Sequence, residues 1–380
     1  MNLGFWGNVP RPSEVPSRRD EGGPKPFLVQ APMLDVTDAA FRRIIAKYGK
    51  FTRPDGTVGG GPDVMFTEFV SADGLCSRGR EKLLPMLWFT DAERPIVAQI
   101  FSADPGKVRE ASALVCKLGF DGVDINMGCP DRNVMRQGSG AALIRTPEKA
   151  REIIRAAKEG AGPLPVSVKT RVGDRSDDEL ERWVPELLAE GIAALTIHAR
   201  TRADMSKVPA RWATVRRAVE IRDRAGVHTL IIGNGDVPDV PAALARAKET
   251  GCDGVMIGRG MLGNPWLFSG LRCKPENSPE RSRRSETYIP TVEEKLRVLV
   301  EHAALFEELY GADPSTDSTS SPRAGSGSHN IKNFDVMRKH FKAYVSGFPG
   351  AADIRAELMG TEDSWGVQAV VDKYIANSVQ

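Results

Sequence analysis

The thiol of Cys129 sits in Asn126-Met127-Gly128-Cys129-Pro130, directly after the apolar run Gly122-Val123-Asp124-Ile125, where a buried strand ends and a loop begins. A thiol on a loop shaped by glycine and proline can be held over a ligand in a way that a cysteine inside a strand cannot. An inert buried cysteine is the commoner case, but the rest of the chain argues against it here. Polar residues and glycines recur at or near the ends of other short apolar runs, as Ala31-Pro32-Met33-Leu34, Gln99, Lys169-Thr170-Arg171, His198-Ala199-Arg200-Thr201, Gly233-Asn234-Gly235-Asp236 and Gly258-Arg259-Gly260. Together they supply an available thiol, fixed cations that can stabilise negative charge, and turns whose N–H groups can hold a phosphate.

The elements that must position these residues are legible as an alternation of β-branched apolar runs with longer amphipathic segments from Phe27 to Arg259. Strands are predicted at Phe27–Ala31, Val64–Thr67, Ile96–Ile100, Gly122–Ile125, Val166–Lys169, Ala194–Ile197, Thr229–Ile232 and Gly254–Ile257. Helices are predicted between most of them, at Asp38–Tyr48, Pro105–Leu118, Pro147–Lys158, Asp177–Ala189, Trp212–Arg224 and Val240–Thr250. Near-continuous apolar strands in this number favour a closed (β/α)8 TIM barrel, an α/β fold, over an open sheet. In such a barrel the C-terminal strand ends share one face, which gathers the residues above into one site.

Residues 27–275 are therefore expected to form the barrel, preceded by a flexible tail at 1–26. Gly49 to Pro62 reads as a glycine-rich surface insertion. Residues 290–380 read as a small all-helical domain, with helices at Thr291–Tyr310, Ile331–Val345, Ala351–Met359 and Ser364–Ile375, interrupted at 311–329 by a disordered Ser/Thr/Pro/Gly tract. The five cysteines Cys76, Cys116, Cys129, Cys252 and Cys273 form no CxxC pair and lie near no histidine at ligand spacing. Neither a disulfide framework nor a metal is suggested, and a reducing compartment such as the cytoplasm is expected. No apolar stretch is long enough for a membrane-spanning helix, so no membrane association is expected. A net charge of +2 excludes arguing a nucleic-acid partner from whole-chain balance; any basic patch must be local. Nothing in the sequence sets an oligomeric state.

Loops after strands seven and eight of a barrel commonly bind phosphate, and Gly233, Gly235, Gly258 and Arg259 supply such a cradle. A phosphate at one rim, with amide, lysine and histidine groups converging from other strands, suits flavin mononucleotide, FMN. Gln99 is placed to bond the pyrimidine-like edge of the flavin, and Lys169 to stabilise negative charge at N1/O2 on reduction. His198, followed by Arg200, reads as a ligand contact.

Ala31-Pro32-Met33 with Thr37-Asp38, the Asn126–Pro130 box, Gly138-Ser139-Gly140-Ala141-Ala142-Leu143, Lys169-Thr170-Arg171, His198-Ala199-Arg200-Thr201, Gly233-Asn234-Gly235-Asp236 and Gly258-Arg259-Gly260 resemble, in order, the tRNA-dihydrouridine synthase family. The resemblance implies an FMN-bound (β/α)8 barrel with a C-terminal helical RNA-binding domain, reducing particular uridines of tRNA to 5,6-dihydrouridine with NADPH. It implies that Pro32, Met33, Leu34, Gln99, Lys169, His198, Asn234, Gly235, Asp236, Gly258 and Arg259 contact FMN. It makes Cys129 the general acid that protonates C5 while hydride from reduced FMN reaches C6. Asn126, Arg171 and Arg200 face the substrate, the first two orienting the uracil carbonyls. Candidate RNA contacts are Lys332, Arg338, Lys339, His340 and Lys342, with Arg281, Arg283 and Arg284 before them. The chain departs from the family pattern in its two long insertions and in Ser102, where a glycine commonly stands. A flavin barrel acting on a small molecule, of dihydroorotate or ene-reductase type, and a non-catalytic tRNA-binding protein on the same fold stay open as alternatives.

Overall fold

The protein is described by a computed structural model over residues 2–7, 26–52, 58–269, 289–311 and 331–378. Its central element is a ring of eight parallel strands: β1 (Phe27–Gln30), β2 (Met65–Ser71), β3 (Ile96–Phe101), β4 (Gly122–Met127), β5 (Val166–Arg171), β6 (Ala194–His198), β7 (Leu230–Asn234) and β8 (Gly254–Ile257). Each strand pairs with its sequence neighbour, and β1 pairs with β8. The ring closes between β1 and β2 through a bridge at Val29 and Val64, where Gln30 N–H donates to the Val64 carbonyl at 3.0 Å. This is the predicted TIM barrel, and every predicted strand is present. Strands β1, β3, β4 and β8 are buried at every position, as expected of strands covered on both faces.

The chain divides into two compact units, Met1–Thr37 with Gly61–Met261, and Asp38–Gly60 with Leu262–Gln380. Around the barrel strands run α2 (Pro105–Lys117), α3 (Pro147–Ala161), α4 (Leu180–Leu188), α5 (Ala213–Arg224) and α6 (Val240–Thr250). Their starts follow from the sequence. Asp104 accepts from Gly106 and Lys107 N–H ahead of Pro105, and Asp239 accepts from Ala242 N–H. Gly251 ends α6 in the left-handed conformation at φ 72°. The second unit holds α1 (Ala39–Gly49), α7 (Val292–Tyr310), α8 (Arg338–Tyr344), α9 (Ala351–Leu358) and α10 (Ser364–Ser378). Among the described residues, no helix is long and apolar enough to cross a membrane.

Three expectations change. Helix α1, read from sequence as the first barrel helix, belongs to the helical unit: Ala39, Ala40 and Ile44 join Leu299, Ala303 and Phe306 in one core, and Ala39 N–H donates to Tyr310 Oη at 3.0 Å. Residues 2–7 of the supposed flexible tail are folded. Gly4–Gly7 is a 3-10 turn that buries Trp6 completely against Phe27 and Phe66, with ring centroids 5.8 and 6.5 Å away. Gly4 has φ +49° and lies against Pro165, whose Cδ would be 2.7 Å from an added Cβ, so glycine is required there. The glycine-rich insertion contains two antiparallel paired strands, Lys50–Thr52 and Val58–Gly60. The rest of the tail, Arg281, Arg283, Arg284, Cys273 and nearly all of the 311–329 tract lie outside the described residues.

Candidate active site

The strand register assembles the site. Gln99 stands opposite Asp124, Asn126 opposite Lys169, Arg171 opposite His198, and His198 opposite Asn234. At the C-terminal ends of these strands a cavity of about 670 Å³ opens. Of the predicted site residues it gathers Pro32, Met33, Lys169, His198, Arg200, Asn234, Gly235, Asp236, Gly258 and Arg259. Leu34, Gln99, Asn126, Cys129 and Arg171 do not line it.

At one end the chain makes an anion cradle. Gly235 has φ +129°, and a Cβ there would come within 2.8 Å of Ala210 Cβ and 3.2 Å of His198 Cδ2. Asp236 accepts from Arg200 at 2.5 Å, from Arg259 at 2.7 Å and from Ala210 N–H at 2.9 Å. Arg200 also donates to the Val208 carbonyl and, at 3.0 Å, reaches His198 Nε2. A guanidinium only donates, so Nε2 accepts and the His198 proton sits on Nδ1. Burial first, then Lys169, Arg171, Arg200 and Arg259, push His198 down to about 2, so it is neutral at pH 7. Lys169 Nζ has a long bond of 3.3 Å to Asn234 Oδ1, while Asn234 Nδ2 is held by the Met256 carbonyl. Desolvation, followed by Arg171, pushes Lys169 down to about 8. Lys169, Arg200 and Arg259 against the carboxylate of Asp236 leave this cavity cationic, with room beside Gly258, where an added Cβ would find its nearest neighbour, Met33 Sδ, at 3.5 Å. That donor set fits a flat ligand ending in a phosphate.

The thiol loop follows β4, the strand paired with the one that carries Lys169. Asn126 Oδ1 accepts N–H bonds from Gly128 at 3.1 Å and Cys129 at 2.9 Å, and Ala141 N–H donates to the Cys129 carbonyl at 3.0 Å. Half-buried Cys129 is pushed above the ordinary thiol range, chiefly by desolvation; the Asp131 charge adds to this, while a backbone bond at Asp131 and the charges of Arg171 and Lys169 oppose it. The thiol is therefore protonated at neutral pH.

Arg171 braces the loops around the thiol. Its guanidinium donates to the carbonyls of Gly128 at 2.9 Å, Thr201 at 3.0 Å and Met205 at 2.9 Å, bracing the thiol loop against the loop after β6. Gln99 is fully buried, bonded to Asp124 and Asn126, with one N–H and one lone pair of its amide unused. Leu34 is exposed. Ala31, Val237, Pro238 and Gly260 also line the cavity and adjoin the predicted motifs; Met256 faces it from within β8, and Ser206 reaches it only through the fold of the loop after β6. His340, expected to touch RNA, is wholly buried in the helical unit, and Lys332 is largely covered, 3.7 Å from Asp38.

The dihydrouridine synthase (Dus) family profile matches residues 29–321. A probable tRNA-dihydrouridine synthase of Staphylococcus aureus strain MRSA252 is 38% identical over 377 residues, covering 99% of this chain and 97% of that protein. Probable tRNA-dihydrouridine synthase 2 of Bacillus subtilis strain 168 is 38% identical over 92% of this chain and 94% of its own length.

Proposed function

Because the chain belongs to the dihydrouridine synthase family, we propose that it reduces uridines of tRNA to 5,6-dihydrouridine, with FMN in the barrel mouth, NADPH as reductant and Cys129 as proton donor. The observation that carries this reading is a protonated, loop-clamped thiol at the end of β4, the strand paired with the one whose Lys169 lines a cationic, glycine-walled cavity. Gly235, Gly258 and Arg259 are assigned to the phosphate of FMN, and Lys169 to the electron-rich edge of its ring. Arg259 is 66% exposed and held by Asp236, so a phosphate recruits it by competing with that carboxylate. Held there and reduced, FMN would supply the hydride that C6 of the uracil takes up. Hydride addition leaves enolate character at C5, and Cys129 quenches it: the S–H bond breaks, a C–H bond forms, and the thiolate stays beside Lys169 and Arg171. The target base must leave its stack to reach this pocket. Arg338, Lys339 and Lys342, exposed on α8, are assigned to the tRNA backbone. A thiol that must stay reduced is suited to a reducing compartment, and the cytoplasm is the proposed location.

The test is a single-turnover assay on unmodified tRNA with pre-reduced enzyme. The purified protein is expected to carry non-covalent flavin, and Cys129→Ala to keep it while losing at least ~100-fold of uridine reduction, the usual weight of a general acid. Reduction of free small-molecule enones without tRNA would instead select the ene-reductase alternative.

A further inference from the structure

Behind the thiol loop runs a line of buried side chains that starts at Asp124, a residue to which the proposed reaction assigns no part. Asp124 accepts from Ser167 Oγ at 2.6 Å and from Gln99 Nε2 at 2.6 Å. Gln99 Oε1 accepts from Asn126 Nδ2 at 3.0 Å. Asn126 Oδ1 then holds the N–H groups of Gly128 and Cys129. Asp124 and Gln99 are fully buried.

The direction of each bond is forced from both ends. Backbone N–H groups only donate, so Asn126 turns its carbonyl to them and its amino group to Gln99. An ionised carboxylate only accepts, so Gln99 turns its amino group to Asp124 and keeps its carbonyl for Asn126. Burial pushes Asp124 up to about 6, against Ser167, Gln99 and Lys169, so it is ionised at neutral pH. Without an acceptor at position 124 the Gln99 amino group is buried unpaired, its amide is free to rotate, and the bond that orients Asn126 goes with it. A carboxylate serving only to tie β3 to β5 has no need for the line to end on the backbone of the thiol residue.

Resting on the reading of Cys129 as proton donor, we infer that Asp124 is a positioning residue: acting through Gln99 and Asn126, it fixes the turn that holds the Cys129 thiol for proton delivery. It touches no reacting atom.

The test reads Cys129 directly, by the rate of its alkylation with iodoacetamide across pH, followed by peptide mass spectrometry in the flavin-loaded protein without tRNA. Asp124→Ala is expected to loosen the turn, so that Cys129 reacts ~10-fold faster at pH 7.5 with an apparent pKa nearer the ordinary thiol value. Asp124→Asn keeps an acceptor for Gln99 and is expected to stay within ~2-fold of the native rate. Asn126→Asp sets a second oxygen against Gln99 Oε1; the amide must turn, and its carbonyl then meets Asp124. Adding Asp124→Asn supplies an N–H to that carbonyl, so the double variant is expected to alkylate more slowly than Asn126→Asp alone. Native rates in both Asp124→Ala and Asn126→Asp, or no recovery in the double variant, would overturn the inference. Should Asp124→Ala fail to fold, the Asn126→Asp pair decides alone. In turnover, Asp124→Ala is expected to lower kcat ~10-fold with KM for tRNA little changed. Absence of uridine reduction by the native protein would sink the proposed function instead, a result the alkylation rates do not share.

Discussion

Three cations meet at the thiol and the cavity, and their partners separate their work. Arg171 holds three carbonyls and acts as a strut, Arg200 holds Asp236 and His198, and among the described residues the side chain of Lys169 has only a long bond to Asn234. A lysine held this way is a cost to the flavin-free fold. Its folded pKa, about 8, lies below the ordinary 10.5, so the penalty is present in full below pH 8 and fades as pH rises toward 10.5. Partial opening to the cavity limits that cost to ~2 kcal/mol. Lys169→Met is therefore expected to raise the melting temperature of the flavin-free protein at pH 7, to show a smaller gain at pH 9.5, and to weaken flavin binding at least ~10-fold through loss of its charge. Thermal melts at the two pH values and a flavin titration check all three. Equal melts would mean that the ammonium is better solvated than its neighbours imply.

At the scale of elements, the two glycine loops look alike in sequence and differ in the fold. Gly235 needs φ +129° and close approach to Ala210, whereas Gly258 shows no such φ and faces open cavity. Gly235→Ala is expected to lose ~2 kcal/mol or more of stability and to lose flavin with it; Gly258→Ala is expected to melt normally yet bind flavin less tightly, since its Cβ takes up ligand space. Paired melts and flavin titrations separate the two outcomes. The strands themselves were legible because β-branched runs bounded by turn residues have one reading at this spacing, and caps such as Asp104 and Asp239 mark helix starts locally. The home of α1 was not legible: which unit its apolar face joins depends on residues far along the chain, as in the bond from Ala39 to Tyr310, 271 positions away. The Asp124–Gln99–Asn126 line was likewise hidden, since it depends on the register of β3, β4 and β5 and no local pattern reports that. The cavity walls from the loops after β7 and β8 were readable; the bracing of Arg171 on Thr201 and Met205 needed the loop after β6.

Across the whole molecule, acid should act unequally on the two units. In the helical unit His302 and His340 are fully buried with ring centroids 4.5 Å apart, and none of their four ring nitrogens has a hydrogen-bond partner among the described residues. Phe41 and Tyr344 flank them, Asp38 favours the charged form of His340, and Lys339 and Lys332 oppose it. Burial pushes His340 down to about 4, and His302, with His340 beside it, well below its ordinary value. Histidines that refuse a proton when folded leave stability complete above the unfolded pKa of ~6.5 and remove it as pH falls toward the folded values. At pH 5 each costs ~2 kcal/mol relative to neutral pH, or ~2–4 for the pair once their mutual coupling is allowed for. The barrel unit holds one such group, His198, but also Asp124, whose raised pKa works in the opposite sense by recovering stability as pH falls through about 6. Those two offset each other to within ~1 kcal/mol at pH 5. The ion-paired carboxylates Asp174, Glu190 and Asp236 are depressed, and their contribution is lost only below ~pH 4. Between pH 7.5 and pH 5, amide exchange in α7 and α8 should therefore accelerate ~10-fold or more relative to β4–β7, in excess of the intrinsic pH effect. Replacing both histidines by leucine should remove the difference. Equal slowing or quickening of exchange in the two units, or a leucine variant as acid-sensitive as the native protein, would show that the buried pair is not what sets the acid limit of the helical unit.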